Sequence, residues 1–173
     1  MCAHQERTKG RKTAVQVLYS SELTGVSPLD IVATGNAPEE VVLDEYAMML
    51  LQGVAETTAE LDAILNAASS NWTVQRMPIV DKCILRLAVY EMLHVDQVPT
   101  AVAINEAVDL AKDFGGEDES HRFVNGVLGR IAQRIADGET LTAAAEPEAA
   151  EAAPAAPEAA VPEVAPAAPA VEE

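Results

Sequence analysis

The stretch 78-PIVDKCILRLAVYEMLHV-95 carries the strongest structural signal in the chain. Its apolar side chains, among them Ile79, Ile84 and Tyr90, recur at helical spacing but cover most of the circumference instead of one face. A helix that is apolar on several sides is buried on several sides. Pro78 suits its start, because proline fits the first turn of a helix. The stretch therefore predicts a central helix with other helices packed around it.

Helical periodicity recurs on both sides of this stretch, and no segment shows the strict alternation of a strand. Gly25, Gly115 and Gly116 mark helix ends, whereas Gly53 either interrupts a helix or packs within it. These signals predict further helices at residues 11–23, 27–33, 38–50, 58–68, 100–114 and 120–135. Asp118 or Ser120 is the predicted cap of the last one. The prediction is an all-α protein, a compact bundle of about six or seven helices.

The last predicted helix contains two glycines within 121-HRFVNGVLGRI-131. Each glycine destabilises a helix by roughly 1 kcal/mol relative to alanine. The apolar face that runs from Phe123 to Ile131 builds core, while Gly126 and Gly129 lie on the other side. Either another backbone or a ligand approaches that side, and we interpret it as a close packing contact.

The formal net charge of −17 is unevenly distributed. Residues 139–173 contain eight glutamates and no Lys or Arg, so residues 1–138 carry about −9. The segment 139–173 consists almost entirely of Ala, Pro, Glu and Val, which predicts a disordered acidic tail behind a domain of residues 1–138. An acidic domain cannot hold nucleic acid by bulk attraction, so any such binding requires a local basic patch.

One basic patch lies near the start of the chain. It consists of Arg7, Lys9, Arg11 and Lys12, four of the 11 Lys and Arg residues. On the first predicted helix Lys12, Gln16 and Tyr19 share one side at i, i+4 and i+7. A cation for phosphate, an amide for a base edge and a ring for stacking suit single-stranded RNA. The alternative is a solvated basic N-terminus with Tyr19 half buried.

Motifs for catalysis and metal binding are missing from the sequence. It has no Walker loop, no dinucleotide-binding glycine fingerprint and no Cys-x-x-Cys or His-Glu-x-x-His pattern. We therefore expect no catalytic residue, no metal and no cofactor. Cys2 and Cys83 form no disulfide framework, and neither a signal peptide nor a membrane span is evident, so the cytoplasm is the expected location.

Three stretches carry a family resemblance: 7-RTKGRKTAVQVLYSSELTG-25, 80-VDKCILRLAVYEML-93 and 98-VPTAVAINEAVDLAKDFGGEDESHRFVNGVLGRI-131. Their order and spacing closely resemble the NusB family of bacterial transcription antitermination factors over nearly all of residues 5–136. INEAVDLAK followed by FVNGVL is the most specific part. The resemblance implies an all-helical fold of two small helical subdomains and no enzymatic activity.

The resemblance also implies partners. Members of the family bind the boxA element of nascent rRNA leader transcripts together with the tenth protein of the small ribosomal subunit, called NusE in this role. The pair helps to assemble an antitermination complex, with other Nus factors, on RNA polymerase. Some members self-associate, which leaves a homodimer open. A helical interaction scaffold with little RNA affinity of its own is the alternative function.

Residue by residue, the resemblance implies an RNA surface that consists of Arg7, Lys9, Arg11, Lys12, Tyr19, Asp118 and Phe123. Asp81 matches a family glutamate at or near the RNA and partner surface. The loop before Phe123 is one residue longer than its commonest form, so either Asp118 or Glu119 takes the place of the family aspartate. Asn125 is interpreted as a structural hydrogen-bonding residue first and an RNA contact second.

Overall fold

The computed structural model describes residues 3–37, 43–69, 72–115, 119–139 and 141. Within these ranges the chain forms six α-helices and one short 3-10 helix, Val74–Arg76, and contains no strand. The α-helices are α1 (Ala3–Thr24), α2 (Pro28–Ala33), α3 (Glu45–Ala68), α4 (Ile79–His94), α5 (Thr100–Phe114) and α6 (Ser120–Ala136). The prediction of an all-α bundle is confirmed.

The helix α4 lies at the centre of the bundle, as its all-round apolar pattern predicts. It packs against α1 and α3 on the N-terminal side of the chain and against α5 and α6 on the C-terminal side. Ile84, Leu85 and Leu87 are at most 1% exposed. One continuous apolar cluster runs from Ala14 in α1 to Ile131 in α6. The N-terminal and C-terminal helices therefore share a single core with α4 between them.

The helix α3 replaces two of the predicted helices with one helix of 24 residues. It begins at Glu45, where the carboxylate of Asp44 accepts a hydrogen bond from the amide of Ala47 at 2.7 Å. Gly53 lies within α3 and does not interrupt it. A side chain at this position would overlap the ring of Tyr90 in α4. The absence of a Cβ thus lets α3 and α4 approach closely. Residues 38–42, expected in the same helix, lie outside the described residues.

An ion-pair cluster joins α1, α3 and α4. Arg86 of α4 donates from Nε to Asp62 at 2.6 Å, and both Arg86 and Lys82 donate to Glu22 of α1. Burial of the Glu22 carboxyl opposes its ionisation. The hydrogen bonds and charges of Lys82 and Arg86 outweigh that effect and hold the pKa of Glu22 below its ordinary value.

Leu141 packs on the core although it follows the end of α6. Leu141 falls within the segment expected to be tail, yet it is only 8% exposed and belongs to the apolar core cluster. Its long aliphatic side chain supplies apolar burial that the surrounding alanines and prolines cannot. Residues 142–173, which hold the rest of the expected tail, lie outside the described residues.

Candidate RNA-binding surface

The exposed cations of α1 are the first component of the candidate surface. Lys9 is exposed, and the Lys12 side chain is 46% exposed while its Nζ lies 2.6 Å from a carboxylate oxygen of Asp113. An ion pair between two half-exposed side chains contributes little to stability and exchanges readily. Lys9 and Lys12 therefore remain accessible to a phosphate.

Arg11 does not belong to this exposed set, contrary to the expectation that it contacts RNA. It is 1% exposed, and its Nε donates to both carboxylate oxygens of Glu91 at 2.9 and 3.0 Å. Its Nη1 lies 3.2 Å from Glu106, and Tyr46 donates a further hydrogen bond to Glu91. Burial by itself lowers the pKa of Arg11, but the pairing with Glu91 raises it, so the guanidinium stays charged. Arg11 is thus a buried link between α1 and α4.

Arg7 is held on the protein surface by two contacts. Its guanidinium donates to the side chain and to the backbone carbonyl of Gln97 at 3.0 and 3.3 Å. It also lies 5.5 Å from the centre of the Tyr46 ring, a cation–π arrangement. Because Arg7 is partly exposed, a phosphate can still approach it, although its side chain is already ordered by Gln97 and Tyr46.

Gln16 and Tyr19 line a groove beside α1. The groove has a volume of about 440 Å³, and Val80 of α4 and Phe114 of α5 form its opposite side. Tyr19 is 37% exposed, so one part of its ring packs while the rest remains open to solvent. Lys12, Gln16 and Tyr19 thus share one side of α1. On that side Lys12 supplies a cation, and Gln16 and Tyr19 line the groove, with the Tyr19 ring as an aromatic part of its wall.

Phe123 lines a second groove next to the first. Val80 and Phe114 line both, so the two grooves adjoin, and together they are here called the aromatic groove. The second part has a volume of about 510 Å³ and is also lined by Trp72 and Glu119. Gln16 and Tyr19 of α1 therefore line one groove, and Phe123 of α6 lines the groove that adjoins it.

Asp81 forms part of the wall of the aromatic groove and is itself only 4% exposed. Its carboxylate accepts a hydrogen bond from the hydroxyl of Ser120, the first residue of α6. This bond fastens the start of α6, and with it Phe123, to α4. Of the two acids considered for the loop before Phe123, Glu119 lines the groove, while Asp118 lies outside the described residues.

The glycine side of α6 differs from its predicted packing role. Gly126 and Gly129 are exposed, and a Cβ added to either would have no neighbouring atom of the described residues within 4 Å. For the described part of the fold, the prediction that another backbone packs there is therefore wrong. The apolar face alone, with Val124, Val127 and Ile131 at most 3% exposed, holds α6 on the core. Asn125 is exposed beside the glycines, and its assigned role stays a prediction.

Trp72 is the residue of this surface that sequence reasoning missed. It is the only tryptophan in the chain and is 49% exposed on the wall of the aromatic groove. It precedes a single 3-10 turn and therefore belongs to no periodic pattern. The available signal was its residue type, because a lone tryptophan in a polar segment, SSNWT, has little use other than packing or binding.

The described part of the chain offers no alternative metal or membrane site. Its helices lack the length and hydrophobicity needed to cross a bilayer, and its His, Cys, Asp and Glu side chains form no group of three that could hold a metal ion. Cys83 is buried in α4, and burial raises the pKa of its thiol to about 12. The thiol is accordingly protonated and unreactive at neutral pH.

The fold and the aromatic groove together define an all-helical bundle protein with a partly aromatic groove on its surface. The sequence profile described as the NusB family matches residues 8–133. The transcription antitermination protein NusB of Acidothermus cellulolyticus is 46% identical over 141 residues, which cover 82% of this chain and 94% of that protein. The corresponding protein of Rubrobacter xylanophilus is 45% identical over 137 residues and is covered over 97% of its length. The chain belongs to the NusB family of transcription antitermination proteins.

Solved structures agree with this assignment. T. maritima NusB superposes with a TM-score of 0.65 at 30% identity, covering 73% of this chain and 90% of that chain. A crystal structure of the antitermination factors NusB and NusE in complex with dsRNA has a TM-score of 0.62 at 28% identity, covering 75% of this chain and 97% of that one. The helical architecture is therefore shared with a protein that has been observed together with NusE and RNA.

Proposed function

We propose that this protein is a non-enzymatic RNA-binding transcription antitermination factor of the cytoplasm. It binds boxA of nascent rRNA leader transcripts together with NusE and helps to assemble an antitermination complex, with other Nus factors, on RNA polymerase. The observation that carries the proposal is the aromatic groove, in which Tyr19 and Phe123, from opposite ends of the domain, line two adjoining grooves. Membership of the NusB family supports the same function.

The charges around the groove explain how an acidic protein binds RNA. Lys9, Lys12 and the outer side of Arg7 supply cations for phosphates, while Gln16 and the two rings meet the bases. Stacking on an aromatic side chain stabilises a bound base by about 1–3 kcal/mol. Two such contacts outweigh the small electrostatic attraction of a few lysines, so the rings determine the affinity.

NusE fits the proposal as the partner that supplies the missing positive charge. Residues 1–138 carry a net charge of about −9, whereas ribosomal proteins are commonly basic. The solved NusB–NusE–dsRNA complex supports the same pairing by similarity. Association of two copies of this chain would compete with RNA if it covered the aromatic groove.

A protein-interaction scaffold with little RNA affinity is the second candidate function. A groove along the first half of α3 favours it, because Asp44, Glu45 and Glu56 line that groove without any Lys or Arg. Met48 contributes an exposed apolar surface at the same place. Such a surface suits a basic protein and repels RNA.

A gel shift and a pull-down with boxA RNA, with and without NusE, separate these functions. We expect retention of boxA RNA that increases with NusE. Tyr19→Ala and Phe123→Ala are expected to weaken binding at one fixed salt concentration while the far-ultraviolet circular dichroism stays unchanged. Leu23→Ala is the matched control, since Leu23 is 57% exposed and lies outside the lining of the groove. Equal retention of scrambled RNA would contradict boxA recognition, and binding of NusE alone would favour the scaffold.

A further inference from the structure

We propose that Trp72 is a third base-stacking platform, which extends the aromatic groove to an additional unpaired nucleotide of the bound RNA. This inference rests on the proposed RNA-binding function and concerns the same surface. The ring of Trp72 lines the groove together with Phe123, Phe114 and Pro78. Tyr19 lines the adjoining groove, so both parts of the aromatic groove contain aromatic side chains.

The exposure of Trp72 is the first observation behind the proposal. Phe114 and Phe123 are partly buried and pack on the apolar core, but Trp72 does not belong to that core or to the residues packed against it. The residue as a whole is 49% exposed. An indole is among the largest apolar side chains, and leaving half of it in water forgoes a large burial free energy. A ring held open in this way is available to a ligand.

The backbone that carries Trp72 is nevertheless firmly attached. Two residues further on, the amide of Val74 donates to the side-chain carbonyl of Asn66 in α3 at 2.8 Å. Val74 and Met77 are 1% and 5% exposed, so the 3-10 turn is anchored in the core. The ring of Trp72 therefore projects from a fixed support, which reduces the conformational entropy lost when a base stacks on it.

The acidic residues of the groove determine which part of RNA enters it. Asp81 and Glu119 line the same section as Trp72, and their carboxylates repel phosphate. A base is neutral, stacks through its face and can donate its amino group to a carboxylate. The phosphates are better placed near Lys9 and Lys12, outside the groove. The occupant expected beside Trp72 is thus an unpaired base with its sugar-phosphate turned outward.

A direct assay exists because Trp72 is the only tryptophan of the chain. Its fluorescence, excited at the red edge of the indole absorption, reports on this position alone. The full-length protein is titrated with unlabelled single-stranded boxA RNA, and free N-acetyltryptophanamide corrects for absorption by the RNA. We expect saturable quenching whose midpoint equals the Kd from anisotropy of labelled boxA RNA, because a stacked base quenches the indole.

Two variants test whether the contact contributes to binding. Trp72→Ala is expected to raise the Kd about 5- to 150-fold, the range for loss of one stacked base, and Trp72→Phe to raise it less. Leu23→Ala, at an exposed apolar residue outside the aromatic groove, serves as control and should leave the Kd unchanged. Equal thermal melting of all variants shows that folding is not the cause.

The remaining outcomes separate this inference from the function on which it rests. RNA binding without quenching, or an unchanged Kd for Trp72→Ala, overturns the role of Trp72 and leaves the proposed function intact. Quenching that occurs with NusE but not with RNA assigns the ring to a protein contact and likewise overturns it. Failure of the wild-type protein to bind boxA RNA, alone or with NusE, overturns both.

Discussion

Replacing Gly126 and Gly129 with alanine should stabilise the protein. Both glycines lie in the interior of α6, and within the described ranges a Cβ at either would meet no atom within 4 Å. Each substitution therefore removes the full helix penalty of glycine, about 0.8–1.0 kcal/mol, with no steric loss. The double variant should gain about 1.8 kcal/mol. With an unfolding entropy of about 2.1 cal/mol/K per residue over about 130 described residues, that gain raises Tm by about 6–7 °C.

Thermal and urea unfolding of the single and double variants measure the effect. Gly53→Ala is the matched control, because it makes the same chemical change in a helix but drives a side chain into the ring of Tyr90. That variant should lose about 1–3 kcal/mol through overpacking. Destabilisation by alanine at Gly126 or Gly129 would refute the reasoning and reveal a neighbour on that side. Repeating the melts at two protein concentrations distinguishes a second copy of the chain from an internal contact.

Three further predictions concern charge. Binding of boxA RNA by the isolated protein should show a slope of log K against log salt of about −2.1, from roughly −0.7 for each of Arg7, Lys9 and Lys12. The value expected if the buried Arg11 also reached a phosphate is about −3, so a measured slope near it would disprove the exclusion of Arg11. Arg11→Met should lower the free energy of unfolding in urea by about 3–5 kcal/mol, because it leaves the Glu91 carboxylate buried without its partner; an unchanged urea midpoint would show that this ion pair is dispensable. The pKa of Glu22 is lowered in the folded state. The ionised Glu22 carboxylate therefore stabilises the folded protein at pH values above its ordinary pKa of 4.5, and this stabilisation is lost as the pH falls through the folded-state pKa. Glu22→Gln should therefore flatten the acid limb of the stability profile, and identical acid limbs for variant and wild type would contradict the assignment.

Most of the fold follows from the sequence because the helices are strongly periodic. The pattern of residues 78–95 predicts a central buried helix, and α4 occupies that position. The prediction of two separate helices, 38–50 and 58–68, in place of α3 was wrong. Glycine disfavours a helix in isolation, whereas tertiary packing decides its effect in a folded protein. Gly53 is needed for the approach of Tyr90, a contact between residues distant in sequence that no local pattern shows.

The candidate surface was only partly predictable for the same reason. Spacing along one helix places Lys12, Gln16 and Tyr19 together. Nothing in the sequence, however, shows which of the Lys and Arg side chains remain exposed in the folded protein. Arg11 lies one position from Lys12, and their fates differ because the helix turns Arg11 toward Glu91. A buried ion pair depends on a partner far along the chain, so it requires the structure. Trp72 likewise reaches the aromatic groove only through the folded course of a non-periodic segment.

The two ends of the aromatic groove have a consequence for biosynthesis. Tyr19 lies in the first helix and Phe123 in the last, about a hundred residues later. A nascent chain exposes its basic N-terminal segment early but lacks the second aromatic wall until the sixth helix has left the ribosome. With the proposed function, the growing polypeptide would attract RNA only weakly and without selectivity during translation. Discrimination among transcripts would begin when synthesis of the domain is nearly complete, which would protect the protein from premature capture by other RNAs around it.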